Sequence, residues 1–367
     1  MPDIIIYHRA HPVNTLPRAF FPSRTDKNKH KAAAYVIIKD MHKRRKAVGL
    51  ISGGLDSVIA MRLIMEQGIE ATGLYILTPF VSGFGLKTLA SLKQLSESEG
   101  FTLKIAETGN GYIDMIKNPR YGYGRNLNPC VDCHIYMLRK AARLMEEEGA
   151  DFVFTGEVLG QRGKSQTKRA LSLVEEGSGL KGKLLRPLSA GILPATAAES
   201  AGIVDSKRLL SIEGKTRVQQ IAVAEEKKLK YYQTPAGGCL LTEKGFCSRL
   251  KDLIENKPGA ERNDYLLLQT GRHFRLSPVS KVIIPRNGDE SEKIESLAGK
   301  DKHLLSSPEK PGVAALVDGK LETVALEIFA AYISDREISI RVDGPDGRST
   351  ARIAGSKNKF EYHRYLL

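Results

Sequence analysis

Four cysteines in 367 residues, at 130, 133, 239 and 247, are too few to staple a disulfide-bonded fold. No apolar run approaches the roughly twenty residues that a membrane-spanning helix needs. Ile4-Ile5-Ile6-Tyr7 is too short for the core of a signal peptide. No fixed-period repeat is evident. These absences make a cytoplasmic location, with no membrane partner, the default expectation. Acidic residues are also in deficit, with 42 Asp and Glu against 56 Lys and Arg, for a formal net charge of +14. The imbalance favours a nucleic-acid partner; an anionic surface, or solubility alone, is the plainer alternative.

Hydrophobic residues make up 41% of the chain, enough for real cores, and the length supports roughly two or three domains. Residues 1–45 read as an extension, interrupted by Pro12, Pro17 and Pro22 and free to be flexible; a nucleic-acid-binding arm is its functional reading. Ala32–Ile38 fits one short strand or helix. From residue 46 the pattern becomes α/β. Strand-like runs at Ala47–Ile51, Ala71–Leu77, Phe101–Ala106 and Phe152–Thr155 alternate with helical patterns at Ser57–Glu66, Leu86–Ser98 and His134–Glu148. Such alternation predicts a mostly parallel sheet covered by helices over 46–205. Residues 206–249 read as a helical connector and a cysteine loop. Its helix, Lys215–Lys228, carries Val218, Ile221, Ala222 and Ala224 as its apolar positions. Residues 250–367 read as a small α+β domain, with strand-like runs at Tyr265–Gln269, Lys281–Pro285, Gly312–Val317 and Glu337–Val342. Leu321–Tyr332 fits a helix or strands.

The first strand ends in Ser52-Gly53-Gly54-Leu55-Asp56-Ser57. Glycines let a backbone approach phosphates closely, and successive N–H groups at a helix start receive negative oxygens. Ser52 and Ser57 add hydroxyls. Asp56 would repel phosphate unless a magnesium ion lies between them. A dinucleotide fingerprint starting at Gly53 fails at Leu55, and a GxxxxGKS loop ending at Gly163-Lys164-Ser165 fails at Val158. The plain alternative is a strand-to-helix turn.

Cys130-Val131-Asp132-Cys133 places two soft ligands close together, near a helix start that favours thiolate. Cys239 lies in a glycine-bearing loop. Three thiolates can hold an iron–sulfur cluster with one iron open. Zinc, with Cys247 or a histidine as fourth ligand, is the alternative metal. Metal-free chemistry also fits, with a persulfide on Cys239 attacked by Cys133.

The stretch at 52–57 resembles the PP-loop of ATP-pyrophosphatases, which bind ATP and adenylate an oxygen. Asn128-Pro129-Cys130-Val131-Asp132-Cys133 is similar to the NPxxxC motif of tRNA 2-thiouridylases, with Cys133 at the catalytic position and Cys130 where that group carries aspartate. Ala150–Glu157 resembles their later ATP-side strand and loop, and Gly238-Cys239 the region of their second cysteine. The extra cysteine moves the chain toward the cluster-dependent tRNA thiolases. Leu266–Leu276 resembles part of a small RNA-associated domain fused to some PP-loop proteins.

The resemblance implies a PP-loop α/β domain and an ATP-dependent tRNA sulfurtransferase that replaces a uridine oxygen with sulfur. It implies nucleotide contacts at Ser52, Gly53, Gly54, Asp56, Ser57 and Gly156, with Asp56 also catalytic through Mg2+. Cys133 and Cys239 are the expected catalytic thiols. Cys130, Cys133 and Cys239 are the expected ligands of a [4Fe-4S] cluster. Arg162, Lys164, Arg272, His273, Arg275 and Lys281 are the expected RNA contacts, a basic surface being the plainer reading. A sulfur donor or carrier protein, and a homodimer, are further expected partners. Two rivals stand beside this reading. One is an amidotransferase or ligase of the same superfamily, for which Pro2 offers no N-terminal glutaminase cysteine. The other is a nonenzymatic RNA- or metal-binding protein.

Overall fold

The computed structural model describes residues 5–7, 44–80, 86–232, 239–356 and 358–367. The element expected at 32–38 lies outside these, as do residues 233–238 of the cysteine loop. The described residues fall into two units. One takes in 5–78, 85–123 and 129–237 of the numbering, the other 79–84, 124–128 and 238–367.

The first unit begins with a short strand, β1 (Ile5–Tyr7). It continues with β2 (Lys46–Leu50), α1 (Leu55–Met65), β3 (Glu70–Leu77), α2 (Leu86–Glu99), β4 (Thr102–Glu107) and α3 (Asn110–Lys117). Then come α4 (Cys130–Glu148), β5 (Phe152–Thr155), α5 (Lys168–Ser178), β6 (Leu184–Leu185), the single turn α6 (Ala197–Ser200) and α7 (Val218–Glu226). The sheet order is β1-β4-β3-β2-β5-β6. Strands β2 to β6 are all parallel, and only β1, against β4, is antiparallel. The expected mostly parallel sheet is therefore present. Its order turns back between β2 and β5, so the loops leaving those two strands flank the crevice where open α/β sheets take ligands.

Alternation of side chains across the central strands builds two cores. Ala47, Phe152 and Phe154 face Val58, Ile59 and Leu63 of α1 with Leu92 and Leu95 of α2. Val48 and Val153 face the other way, against Val131, Ile135 and Leu138 of α4 and Ala170 and Val174 of α5. Burial on both faces explains why these strands are apolar runs and not alternating ones.

The second unit holds α8 (Lys244–Asn256), α9 (Arg262–Leu267), β7 (Arg272–Ser277), β8 (Ser280–Ile284) and α10 (Gly288–Leu297). It continues with β9 (His303–Ser307), β10 (Lys310–Gly319), α11 (Thr323–Ile333), β11 (Ile338–Gly344) and β12 (Gly347–Ile353). Its sheet, β12-β11-β9-β10-β8-β7, is antiparallel throughout. Phe274, Val282, Leu305 and Val317 pack on Ile328 and Phe329 of α11. Ile283 and Leu316 pack on Ile294 of α10 and on Leu267. This is the expected α+β architecture, with one correction: the run beginning at Tyr265 belongs to a helix, not a strand. Residues 264–268 are buried, and a short apolar run carries no period that separates the two. The helix start is fixed by polar residues, Glu261 N donating to Asp264 Oδ2 at 2.9 Å.

Gly49 in β2 leaves room for the Phe154 ring of the neighbouring strand. A Cβ there would meet Phe154 Cζ at 2.4 Å. Gly49→Ala is expected to lower stability by about 1–3 kcal/mol, as overpacking does. Adding Phe154→Leu should restore part of the loss in thermal unfolding. No recovery in the double variant would show that the ring is not the obstacle.

Candidate active site

The loop leaving β2 is built by its own small residues. Gly53 takes a left-handed φ of +77°, and Gly54 is the N-cap of α1. The Ser57 hydroxyl donates to the Gly54 carbonyl at 2.8 Å and accepts from Ser52 N at 3.3 Å. Gly54 N donates to Ser52 Oγ at 3.3 Å. Both hydroxyls therefore hold the turn that opens the helix.

Gly156, the first residue after β5, lies directly against this loop. A Cβ on it would come within 2.5 Å of Ser57 N and 2.6 Å of the Asp56 carbonyl carbon. The two crevice loops thus touch backbone to backbone, at a spacing only glycine allows. Between them opens a cavity of about 380 Å³. Its walls include Ser52, Asp56 and Ser57 on one side and His134, Met137 and Leu138 of α4 on another, with Gln161, Arg162, Gln166 and Arg217 at the remaining edge.

Like Glu157, Asp56 is an acidic side chain lining the cavity. Its Oδ2 accepts from Gln161 Nε2 at 3.2 Å and lies 3.8 Å from Arg217 Nη2. Its Oδ1 is buried without a hydrogen-bond partner. Burial raises its pKa, and the Gln161 hydrogen bond with the charges of Arg217 and Arg162 only partly opposes this. Gln166 Oε1, on the cavity wall, is another buried acceptor with no partner. A buried polar atom in this condition costs free energy unless a ligand or water satisfies it.

Sequence reading did not find Arg217 and Gln220. Both belong to the start of α7, which turns an unexpected face inward. Gln220 is fully buried, and neither amide atom has a hydrogen-bond partner, while Val218 is 72% exposed and Ile221 is also exposed. The expected apolar positions are therefore partly on the surface. The only signal available in the sequence was a polar residue at core spacing, which helical periodicity alone does not flag.

Glu157 was also missed as a participant. It is buried, with His134 Nδ1 at 2.7 Å from Oε1 and Arg186 Nε at 3.0 Å from Oε2. Burial alone would raise its pKa; the Arg186 charge and the His134 hydrogen bond overcome that and hold it at about 2. With Glu157 ionised, His134 Nδ1 is the donor, which fixes the ring on the cavity wall.

Helix α4 begins at Cys130, four residues earlier than expected, with Pro129 at its N-cap. Cys130 and Cys133 both sit in the first turn, three apart and so on one face. Cys133 N donates to the Pro129 carbonyl at 2.8 Å, and its Sγ lies 3.2 Å from the Tyr112 hydroxyl. Asp132, buried, accepts from Arg120 N at 2.9 Å and Tyr121 N at 3.1 Å, fastening the loop before the helix. Cys239 belongs to the second unit, where it is exposed and precedes a 3₁₀ turn at Leu240–Thr242. In that unit Leu127 N donates to the Leu241 carbonyl at 3.2 Å and Asn126 Nδ2 to the Thr242 carbonyl at 2.7 Å. Cys247 is buried and donates to the Leu241 carbonyl at 3.1 Å, as a packed thiol does. Among the described residues, no three His, Cys, Asp or Glu side chains gather as a metal site.

The expected RNA contacts divide sharply. Arg162 is exposed at the cavity, and Lys164, also exposed, donates to the Tyr123 carbonyl. Arg272 is half-buried over the Tyr332 ring. Three others are corrections. His273 is buried and bonded to the Thr270 carbonyl at 2.9 Å. Lys281 is buried with Nζ 2.9 Å from Asp252 Oδ2. Arg275 grips the same carboxylate through Nε at 2.7 Å and Nη2 at 2.8 Å. Burial withdraws His273 and Lys281 from the surface, and Arg275, half-buried, is already paired with Asp252.

Comparison with known proteins bears on both units. The family described as thiamine biosynthesis protein (ThiI) matches residues 43–191. The matched stretch lies mostly within the first unit. The family described as NFACT protein RNA binding domain matches residues 271–358 of the second unit. A probable tRNA sulfurtransferase of Thermococcus kodakarensis is 30% identical over 149 residues, or 39% of this chain and 36% of its own. A tRNA-specific 2-thiouridylase MnmA of Amoebophilus asiaticus is 24% identical over 251 residues, 62% of each chain. The chain thus spans about a third of the first relative's length and under two thirds of the second's. A 4-thiouridine synthetase–RNA complex with bound ATP is 22% identical, covering 50% of this chain and 53% of its own, at a TM-score of 0.32, too loose a likeness to bear on the site.

The Glu157–Arg186 pair makes a direct prediction for the first unit. Glu157→Gln takes from the buried Arg186 guanidinium the carboxylate on its Nε, leaving Glu175 3.3 Å from Nη1, and should cost about 3 kcal/mol in urea unfolding. Because the folded pKa is depressed, this stability is present above the ordinary carboxyl value of 4.5 and disappears as pH falls toward about 2. The gap between wild type and variant should narrow over that range. A gap independent of pH would contradict the assignment.

Proposed function

We propose that this protein is an ATP-dependent tRNA sulfurtransferase. The observation that carries the reading is that the glycine loop and the cysteine-headed helix α4 wall one cavity, with Asp56 and Ser57 of the loop and His134, the residue after Cys133, all in its lining. Further support comes from the ThiI-family match and from relatives named as tRNA sulfurtransferase and 2-thiouridylase.

The reaction follows from these parts. ATP lies in the cavity with its phosphates at Ser52–Ser57, where the N-terminus of α1 and close-set backbone N–H groups favour anions. Gly156 keeps the second loop clear of that backbone. A uridine carbonyl oxygen attacks the α-phosphorus; the α–β bridging bond breaks, pyrophosphate leaves, and the uracil N3 proton passes to solvent. Arg162 and Arg217 oppose the charge on the leaving group. A sulfur nucleophile then adds at the activated carbon, and AMP departs with the former carbonyl oxygen.

Asp56 suits a magnesium ion, since a buried carboxylate oxygen without a partner beside a phosphate loop is a typical single-carboxylate anchor. Such an ion supplies positive charge against the triphosphate. Cys130 and Cys133, on one helix face, suit two thiolate positions of an iron–sulfur cluster, with Cys239 as the third. Such a cluster supplies an iron that can carry sulfide. Cys239 enters this set on the resemblance of Gly238-Cys239 to the second-cysteine region of 2-thiouridylases alone. In the metal-free alternative, Cys133 attacks the inner sulfur of a Cys239 persulfide. Hydrosulfide is released, a Cys133–Cys239 disulfide forms, and an external thiol reduces it.

Two variants separate activation from sulfur transfer. Asp56→Ala should lower RNA-dependent pyrophosphate release about a hundredfold or more, as loss of a charge-stabilising group does. Cys133→Ser should still release pyrophosphate and AMP but incorporate no sulfur. Full thiolation by Cys133→Ser, or pyrophosphate release indifferent to Asp56, would defeat the reading.

A further inference from the structure

The chain after the NFACT match ends in a 3₁₀ helix, Lys359–Tyr365. Three residues per turn align side chains three apart. Tyr362 and Tyr365 form the inner row and pack on the core of the second unit. Phe360, His363 and Leu366 form the outer row, and all three are exposed. Phe360 leaves 66% of its surface in solvent. Its ring centroid lies 5.0 Å from that of His363, edge to face at 75°.

This outer row is held in place. Leu366 bridges to Phe274 in antiparallel fashion, and Leu367 N donates to the His273 carbonyl at 3.0 Å. Cations gather beside it. The Tyr332 ring carries Arg272 at 5.4 Å and Lys359 at 5.7 Å, and Arg364 lies 4.9 Å from the Tyr365 ring centroid. Acidic residues are also near: Glu361, which accepts from Ser356 Oγ at 2.9 Å, and Glu327, whose charge acts on Tyr362. The cation–aromatic pairs account for the inner tyrosines. They do not account for an aromatic ring anchored on the outside, away from any core.

We propose that Phe360, backed by His363 and flanked by Lys359 and Arg364, is a stacking platform for an unpaired nucleotide of RNA. The inference rests on the RNA-acceptor reading above and adds which form of RNA this surface takes. A fixed ring offers a π-face to any base, and neighbouring cations meet the backbone phosphates on either side of it. A stacked base needs no sequence code, and the phenyl ring of Phe360 has no polar atom with which to read one. An even basic surface would instead favour a duplex and would need no exposed phenyl ring.

The test uses the full-length protein, a short fluorescent single-stranded RNA and a duplex of the same sequence. Phe360→Ala should weaken binding of the single strand about tenfold while leaving duplex binding and the thermal midpoint nearly unchanged. Arg364→Ala should lower the salt dependence by about one phosphate contact. Equal losses on both RNAs, or no loss on the single strand, would overturn the proposal. So would a change of oligomeric state in Phe360→Ala with RNA binding intact, which would give the row to a second copy of the chain. If the wild type binds neither RNA, the RNA-acceptor reading fails together with it; if it binds both and Phe360→Ala matches it, only the platform fails.

Discussion

The contact between Gly156 and the Asp56–Ser57 peptide is the constraint from which the site follows. It brings the loops of β2 and β5 together with no room for a methyl group. The sheet order makes this meeting possible, because β2 and β5 are parallel neighbours at the point where the order turns back. Once the loops meet, the N-terminus of α1 is fixed against the crevice. Glu157, one residue beyond Gly156, is then placed to take His134 from α4. A backbone spacing in one loop thereby sets the orientation of a side chain on the opposite wall.

Charge is distributed unevenly around that frame. In the first unit, one acidic side chain is fully compensated and another is not. Glu157 has both oxygens engaged by Arg186, His134 and Thr155, and it stays ionised. Asp56 has a buried oxygen without a hydrogen-bond partner and a raised pKa. The first is a structural support for the cavity wall, and the second keeps unspent acceptor capacity beside the glycine loop. The second unit uses its charges differently. Asp252 collects Arg275 and Lys281 inside the fold, so cationic residues in its sequence are no guide to its exterior.

Much of the first unit was legible because its signals are local. Apolar runs bounded by glycine gave the parallel strands, and Ser52–Ser57 announced the tight turn into α1, where Gly53 takes a positive φ and Gly54 caps the helix. Cys130 and Cys133 were visible for the same reason, a short spacing on a helix start. Arg217 was not, because Asp56, 3.8 Å from it, is far away along the chain and only the fold joins them, and Gln220 was not, because a polar residue at a buried helix position looks in sequence like any surface residue. Glu157 was legible as part of a motif but not as a buried ion, since its partners come from α4 and from the region of β6. In the second unit, Tyr265–Leu268 misled because a run buried on all sides carries no period. Arg275 and Lys281 misled because the carboxylate that holds them, Asp252, is set by the fold, and His273 misled because its partner is a backbone carbonyl.

The account turns on whether sulfur reaches RNA through this cavity. Nucleoside mass spectrometry of tRNA from a strain lacking the gene, and from strains restored with wild type or with Cys133→Ser, measures that directly. A thiouridine should vanish on deletion, return with the wild-type gene and stay absent with Cys133→Ser. An unchanged set of thiolated nucleosides in the deletion strain would contradict the account.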